Sequence, residues 1–177
     1  MLGLTPLGTV HTFISLVALA AGFANLLRDG RIVPGSGLGR IYVWATVLTC
    51  LTGFGIFQHG GFGVPHMLGI VTLLVLALAA WLGSTPGLAR GWLYVSTVSY
   101  SLTLFFHMIP GMTETFTRLP AGSPLFTGPD DPMLQKVIGA LFVVFLVGAT
   151  LQVLHLRRTG RDDRRMAGLQ GAGKIAP

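Results

Sequence analysis

Long apolar runs recur along this chain of 177 residues, and they constrain its fold more than any other feature. A helix needs about 20 consecutive apolar residues to cross the hydrocarbon core of a bilayer. Charged residues make up 10% of the chain, whereas soluble domains carry about 25%. We therefore predict an all-α integral membrane bundle of five transmembrane helices, without a separate soluble domain.

The predicted spans cover about residues 7–27, 41–57, 66–82, 91–109 and 133–156. Tyr42 and Trp44 are expected to be interfacial anchors of the second span, and Pro110–Gly111 is expected to break the fourth. Asp131 is placed to cap the fifth helix. Residues 157–177 form a basic tail that we expect to be flexible and cytoplasmic. The first run is too long for the core of a signal peptide, so we predict no cleaved leader.

The arginines predict the orientation of the bundle. One group lies after the first span and another follows the fifth, at Arg28, Arg31, Arg40, Arg157, Arg158, Arg161, Arg164 and Arg165. With five spans these groups share a side, so the positive-inside rule places the N-terminus outside and the C-terminus in the cytoplasm. The net charge of +6 is explained by this bias and predicts no nucleic-acid partner. We expect a protein of the bacterial inner membrane.

Polar residues in the fourth span form a stripe. Ser96, Tyr100, Thr103 and His107 are spaced by four, three and four residues, which places them on one face of a helix. Polar groups are costly in hydrocarbon, so this face should point into the protein or into a wet cavity. A second inward stripe of small and polar residues is predicted on the first span, at His11, Ser15, Ala18, Gly22 and Asn25.

The histidines are the strongest candidates for a site. With the predicted topology, four of the five lie on the outer side, at His11, His59, His66 and His107. Three of them are expected at a similar depth on different helices, and we predict that His11, His66 and His107 converge on one pocket. Tyr100 and Thr103 would line its floor, and Met108 and Glu114 are additional candidate ligands. The alternative is that these imidazoles are present for mutual hydrogen bonding alone.

Three chemistries fit such a pocket. Two facing imidazoles can hold the iron of haem b, and three with a carboxylate or thioether suit copper, zinc or iron. His107 and Tyr100 could instead bind a quinone head group or relay protons. These alternatives predict a redox or electron-transfer protein. The competing prediction is a cofactor-free structural or accessory subunit of a larger membrane complex or homo-oligomer. A hydrolase is not indicated, because GxSxG is absent from the sequence and Glu114 is its single glutamate.

Several short motifs follow one another between residues 11 and 118. They are His11, Ala18-Leu19, Gly22, Leu38-Gly39-Arg40-Ile41-Tyr42-Val43, Leu51-Thr52-Gly53-Phe54, His66, Gly91-Trp92, Ser99-Tyr100, Glu114 and Arg118-Leu119-Pro120. In these motifs the chain resembles a bacterial family of predicted multi-pass membrane proteins, classified as domain of unknown function 2306. The resemblance covers about two thirds of the chain and implies the multi-pass architecture. It implies no reaction, because none is assigned to the family.

Overall fold

The computed structural model describes residues 5–57, 61–85 and 89–173, with side chains described for these except at residue 90 and at 161–173. Within these ranges the secondary structure is helical and contains no strand. The helices are α1 (Pro6–Asp29), α2 (Gly37–Gly53), α3 (Val64–Ser84), α4 (Arg90–Phe116) and α5 (Pro132–Gly173). The predicted all-α class with five helices is confirmed.

Side-chain oxygens determine where three of the helices begin. Thr5 and Ser36 each accept a backbone N–H from the first turn of α1 and α2, at 3.1 and 3.0 Å. Asp131 accepts the N–H of Met133 at 2.8 Å, as its predicted capping role requires. At the other end of α1, Gly30 adopts φ 67°, a left-handed conformation that glycine adopts without steric cost.

Two helices continue past their predicted ends. The expected break at Pro110 does not occur, because α4 runs through this proline to Phe116. After this proline, the Thr113 hydroxyl donates to the Ile109 carbonyl at 2.9 Å, and Glu114 pairs with Arg118 one turn later at 2.6 Å. Proline is tolerated in membrane-spanning helices more readily than in soluble ones. Similarly, α5 does not end near residue 156 but remains helical to Gly173.

Three helices of the described chain are long and apolar enough to cross a membrane. They are α1, α3 and the Pro132–Gly160 part of α5. By comparison, α2 has 17 residues, and α4 carries the polar stripe. The structure therefore supports the assignment of a membrane protein.

The first four helices pack in a ring, in which each helix contacts the next and α4 closes back on α1. The fifth helix, α5, packs on α4 from outside. The centre of the ring is an apolar cluster of Ala21, Ile32, Tyr42, Leu76, Ala79, Tyr100 and Leu104. Gly22 permits this packing, because a Cβ there would lie 2.8 Å from Leu104 Cδ1 and 3.0 Å from the ring of Tyr42.

Burial confirms the inward stripe predicted on α4 and part of the one predicted on α1, where His11 and Ser15 are half-buried. On α1, Ala18, Gly22 and Asn25 are buried, whereas Phe13 and Leu16 on the opposite face are exposed. On α4, the whole stripe is buried, comprising Ser96, Tyr100, Thr103 and His107. The ring of helices therefore has a polar seam in its interior and apolar side chains on its outside.

Candidate functional site

His107 is bound to a hydroxyl of a different helix. Its Nε2 lies 3.1 Å from Thr46 Oγ1 of α2, and both residues are buried. The ring of Tyr42 meets the His107 ring edge-on, with 6.3 Å between their centroids. The buried imidazole is thus held between a hydroxyl and an aromatic ring of α2.

A second set of hydrogen bonds joins α2 and α4 beside this position. The Thr103 hydroxyl donates its single proton to the Tyr100 carbonyl at 2.8 Å. Thr103 Oγ1 must therefore accept from the Tyr42 hydroxyl, which lies 2.7 Å away. Tyr100 and Thr103, which were predicted to line the floor of the pocket, have different roles. Thr103 contributes its hydroxyl to these hydrogen bonds, whereas Tyr100 contributes its backbone carbonyl and its side chain packs in the apolar cluster.

His11 makes an equivalent bond one helix away. Its Nδ1 lies 3.0 Å from Thr52 Oγ1 of α2, and its ring packs on Gly53, where a Cβ would lie 3.2 Å from Cε1. The Thr52 hydroxyl already donates to the Leu48 carbonyl at 2.8 Å. Its oxygen is therefore the acceptor, and Nδ1 of His11 carries the proton.

His66 lies in a separate environment at the start of α3. Its ring stacks on Phe57 and on Phe62, with 5.1 Å between centroids in each case. Nδ1 accepts the backbone N–H of Gly63 at 3.2 Å, so in the neutral imidazole the proton is on Nε2. Within the described chain, Nε2 of His66 is buried and has no hydrogen-bond partner. The result is a buried donor without an acceptor.

The structure does not group the three imidazoles as metal ligands. No group of three or more His, Cys, Asp or Glu side chains in the described part of the chain could hold a metal ion. His11 and His107 each form a hydrogen bond with a hydroxyl of α2. By contrast, His66 accepts a hydrogen bond from the backbone N–H of Gly63 at the start of its own helix, α3. The proton on Nε2 of His66 also leaves no lone pair there for a metal. Among the described residues, His11, His66 and His107 therefore do not form a group that could hold a metal ion, and a pocket shared by them in another way stays a prediction.

The remaining predicted ligands also have other roles. Glu114 forms an ion pair with Arg118, and Met108 is partly buried without a described polar contact. His59 lies outside the described residues. The seam residue that the sequence analysis missed is Tyr42, which is not an interfacial anchor but fully buried. The spacing of Tyr42, Thr46, Thr49 and Gly53 could have indicated this, because these positions share one face of α2.

Comparison with known proteins adds no assignment to this geometry. No family model matches the chain, and neither a curated protein nor a solved structure matches it. The resemblance to the family of unknown function stays a prediction, and function is inferred from the chemistry of the described residues.

Proposed function

We propose that this chain is a multi-pass protein of the bacterial inner membrane, with all five helices crossing the bilayer and the N-terminus outside. The length and apolar composition of α1, α3 and α5 support this placement. The other two helices turn their polar side chains inward, while Trp44 of α2 and Trp92 of α4 are 67% and 46% exposed. The positions of the arginines support the direction of insertion.

Cysteine labelling tests this topology. Gly35 and Gly128 are suitable positions, because a Cβ at either would have no atom within 4 Å. In a Cys50→Ser background, an impermeant thiol reagent should label Gly128→Cys from the outside and Gly35→Cys only after the membrane is opened. Labelling of both from the same side would contradict five spans.

We further propose that the outer end of the bundle binds a quinone head group, and the observation that carries this is the unpartnered Nε2–H of His66. Leaving a buried donor without an acceptor costs about 1–3 kcal/mol, so an acceptor oxygen brought to this position would be bound favourably. A quinone supplies such an oxygen on an apolar ring that is soluble in the bilayer. The proposal makes His66 a hydrogen-bond donor and not a metal ligand.

The surroundings of His66 suit an apolar ligand. Phe57 and Phe62 cover the imidazole faces, so a ligand oxygen must approach in the plane of the ring, along its Nε2–H edge. These two phenylalanines are 56% and 63% exposed, and Val64 beside them is 82% exposed. A molecule dissolved in the outer leaflet would therefore meet apolar side chains before it reached the donor.

His11 and His107 supply further polar groups at the proposed outer end of the bundle. His11 interacts electrostatically with both Glu114 and His107. His107 is in turn hydrogen-bonded to the Thr46 hydroxyl of α2. The proposal concerns binding of the quinone head group and includes no electron transfer.

Equilibrium binding to the purified protein in nanodiscs tests the quinone proposal. A short-chain benzoquinone should bind more tightly than an alkylbenzene of the same shape without carbonyl oxygens. His66→Phe should weaken quinone binding about tenfold, corresponding to about 1.4 kcal/mol, and should remove the preference for the quinone. The control His155→Phe, at the other end of the bundle, should bind quinone within a factor of two of wild type.

Two results would overturn this proposal. One is equal quinone affinity in wild type and His66→Phe, provided that both proteins unfold at similar temperatures. The other is an absorption spectrum with a Soret band, or stoichiometric copper, zinc or iron in the purified protein. The second result would support haem or metal chemistry instead.

A second candidate function is that of a cofactor-free accessory subunit, and the packing of α5 favours it. This helix lies outside the ring of four, and only 6% of its most apolar stretch is buried. Its large exposed side chains include Val143, Val144 and Leu151. A particle mass in nanodiscs above that of one 18.8 kDa chain, or co-purification of a membrane partner in constant ratio, would support this candidate.

A further inference from the structure

A cavity of about 470 Å³ opens at the end of the bundle opposite His66. It lies between the end of α1, the connection to α2 and the part of α5 near residues 155–159. The lining residues are Arg28, Asp29, Arg31, Val33, Ser36, His155, Leu156 and Thr159. With the proposed orientation, the cavity lies at the cytoplasmic surface of the membrane.

Hydrogen bonds hold both walls of this cavity in place. On one side, the amide of Gln152 on α5 donates to the Gly30 carbonyl at 3.0 Å and accepts from the Ser101 hydroxyl of α4 at 2.9 Å. On the other side, the buried Asn25 accepts the N–H of Val33 at 2.7 Å and donates to the Ser36 hydroxyl at 3.0 Å. The cavity is therefore a built feature of the fold and not a gap between loose segments.

The charges around the cavity favour an anion. Two guanidinium groups, of Arg28 and Arg31, face a single carboxylate among the lining residues, Asp29. Arg28 binds that carboxylate at 2.8 Å. Among the described side chains Arg31 forms no close ion pair, and its interaction with the Asp29 carboxylate is a longer-range electrostatic one. The hydrogen-bond donors of Arg31 are therefore the ones that another anion would contact. Beside these groups, Leu156 supplies an apolar surface.

We propose that this cavity binds the phosphodiester head group of an anionic phospholipid. Arg31 contacts the phosphate, and the acyl chains extend along the apolar surface beside Leu156. Basic pockets between helices at the cytoplasmic surface are suited to such head groups, because the guanidinium donates several hydrogen bonds to phosphate oxygens. The site depends on the membrane placement of the chain and is independent of quinone binding at the opposite end.

Lipid retention in nanodiscs and by native mass spectrometry tests this site. Wild type should retain phosphatidylglycerol over phosphatidylcholine with the same acyl chains. Arg31→Gln should reduce this retention about fivefold, the effect expected for one basic side chain at the surface. The matched control is Arg40→Gln, which removes the same charge from an exposed position in the first turn of α2, outside the cavity. It should leave retention within a factor of two.

Three outcomes would overturn the proposal. Equal retention by wild type and Arg31→Gln would show that the cavity does not bind the head group. An equal loss in Arg40→Gln would show that general surface charge holds the lipid. Displacement of the lipid by millimolar inorganic phosphate would identify a free-phosphate site. Quinone affinity, measured in the same samples, should be unchanged by Arg31→Gln, so failure of one proposal is distinguishable from failure of the other.

Discussion

Replacing Gly39 by alanine should strongly destabilise the bundle, because this glycine lies directly against the backbone of the preceding connection. A Cβ on Gly39 would lie 1.8 Å from the Val33 carbonyl oxygen, 2.5 Å from its carbon and 2.9 Å from Pro34 Cα. All three are backbone atoms, so no side chain can rotate away to relieve the clash. The connection itself would have to move.

The size of the effect follows from what that movement breaks. Overpacking a well-packed site costs about 1–3 kcal/mol. Moving Val33 also endangers the bond from its N–H to the fully buried Asn25, and leaving such a group unsatisfied costs about 1–3 kcal/mol more. We therefore expect Gly39→Ala to lower the free energy of unfolding by about 2–6 kcal/mol. For a chain of this length that corresponds to a decrease in Tm of about 4–24 °C.

The matched control is Gly37→Ala, two residues earlier in the same helix. A Cβ there would have no atom within 4 Å, and alanine is the better helix former by up to about 1 kcal/mol. We expect this variant to unfold at the wild-type temperature or slightly above it. Cys50 provides the assay, because this single cysteine is buried and should react with a thiol-sensitive dye only as the protein unfolds.

The difference in unfolding temperature between these two variants tests the predicted clash at Gly39. If Gly39→Ala and Gly37→Ala unfold within about 2 °C of each other, the close approach of Val33 to Gly39 is not a feature of the folded protein. The account of the inner end, including the bonds of Asn25, would then have to be abandoned.

Three further predictions concern other parts of the fold. Tyr42→Phe removes the hydroxyl that donates to Thr103 and should lower stability by about 0.6–1.7 kcal/mol in the dye assay, less than Gly39→Ala. Asn25→Leu leaves a backbone N–H of the connection without its acceptor and should cost about 1–3 kcal/mol; wild-type Tm in this variant would refute that role. Hydrogen bonds from Thr127 lower the pKa of the Asp131 carboxyl, so its cap stabilises α5 fully above about pH 4 and is lost as pH falls through the lowered pKa. Amide exchange at the start of α5 should therefore accelerate below pH 4, after correction for intrinsic rates, and Asp131→Asn should show no such pH dependence.

Local periodicity was sufficient to predict which faces of α1 and α4 turn inward. Ser96, Tyr100, Thr103 and His107 are buried as their spacing requires, because residues three and four apart share a face of any α-helix. The cap at Asp131 was also predictable, since a carboxylate followed by proline and an apolar run satisfies the first N–H groups of a helix locally. Such features depend on neighbours in the sequence alone.

The position of Tyr42 depended on a different helix. A tyrosine near a helix end suits both a membrane interface and a protein interior, so its sequence position did not distinguish them. The glycine at position 22 of α1 leaves room for its ring, and Thr103 of α4 accepts its hydroxyl proton. Likewise, the passage of α4 through Pro110 was not determined by the proline itself, because proline ends many helices but is tolerated inside membrane-spanning ones.

Topology alone predicted that His11, His66 and His107 lie at a similar depth. The helices of His11 and His66 begin on the predicted outer side of the membrane, and the helix of His107 ends on that side. Depth does not determine how far apart three helices stand or how each is rotated about its axis. Packing around the ring decided those quantities. It turned His11 and His107 towards the hydroxyls of α2 and left His66 between two phenylalanine rings. A shared site requires the three imidazoles to be close to one another in all three dimensions. The sequence predicts only their depth along the membrane normal.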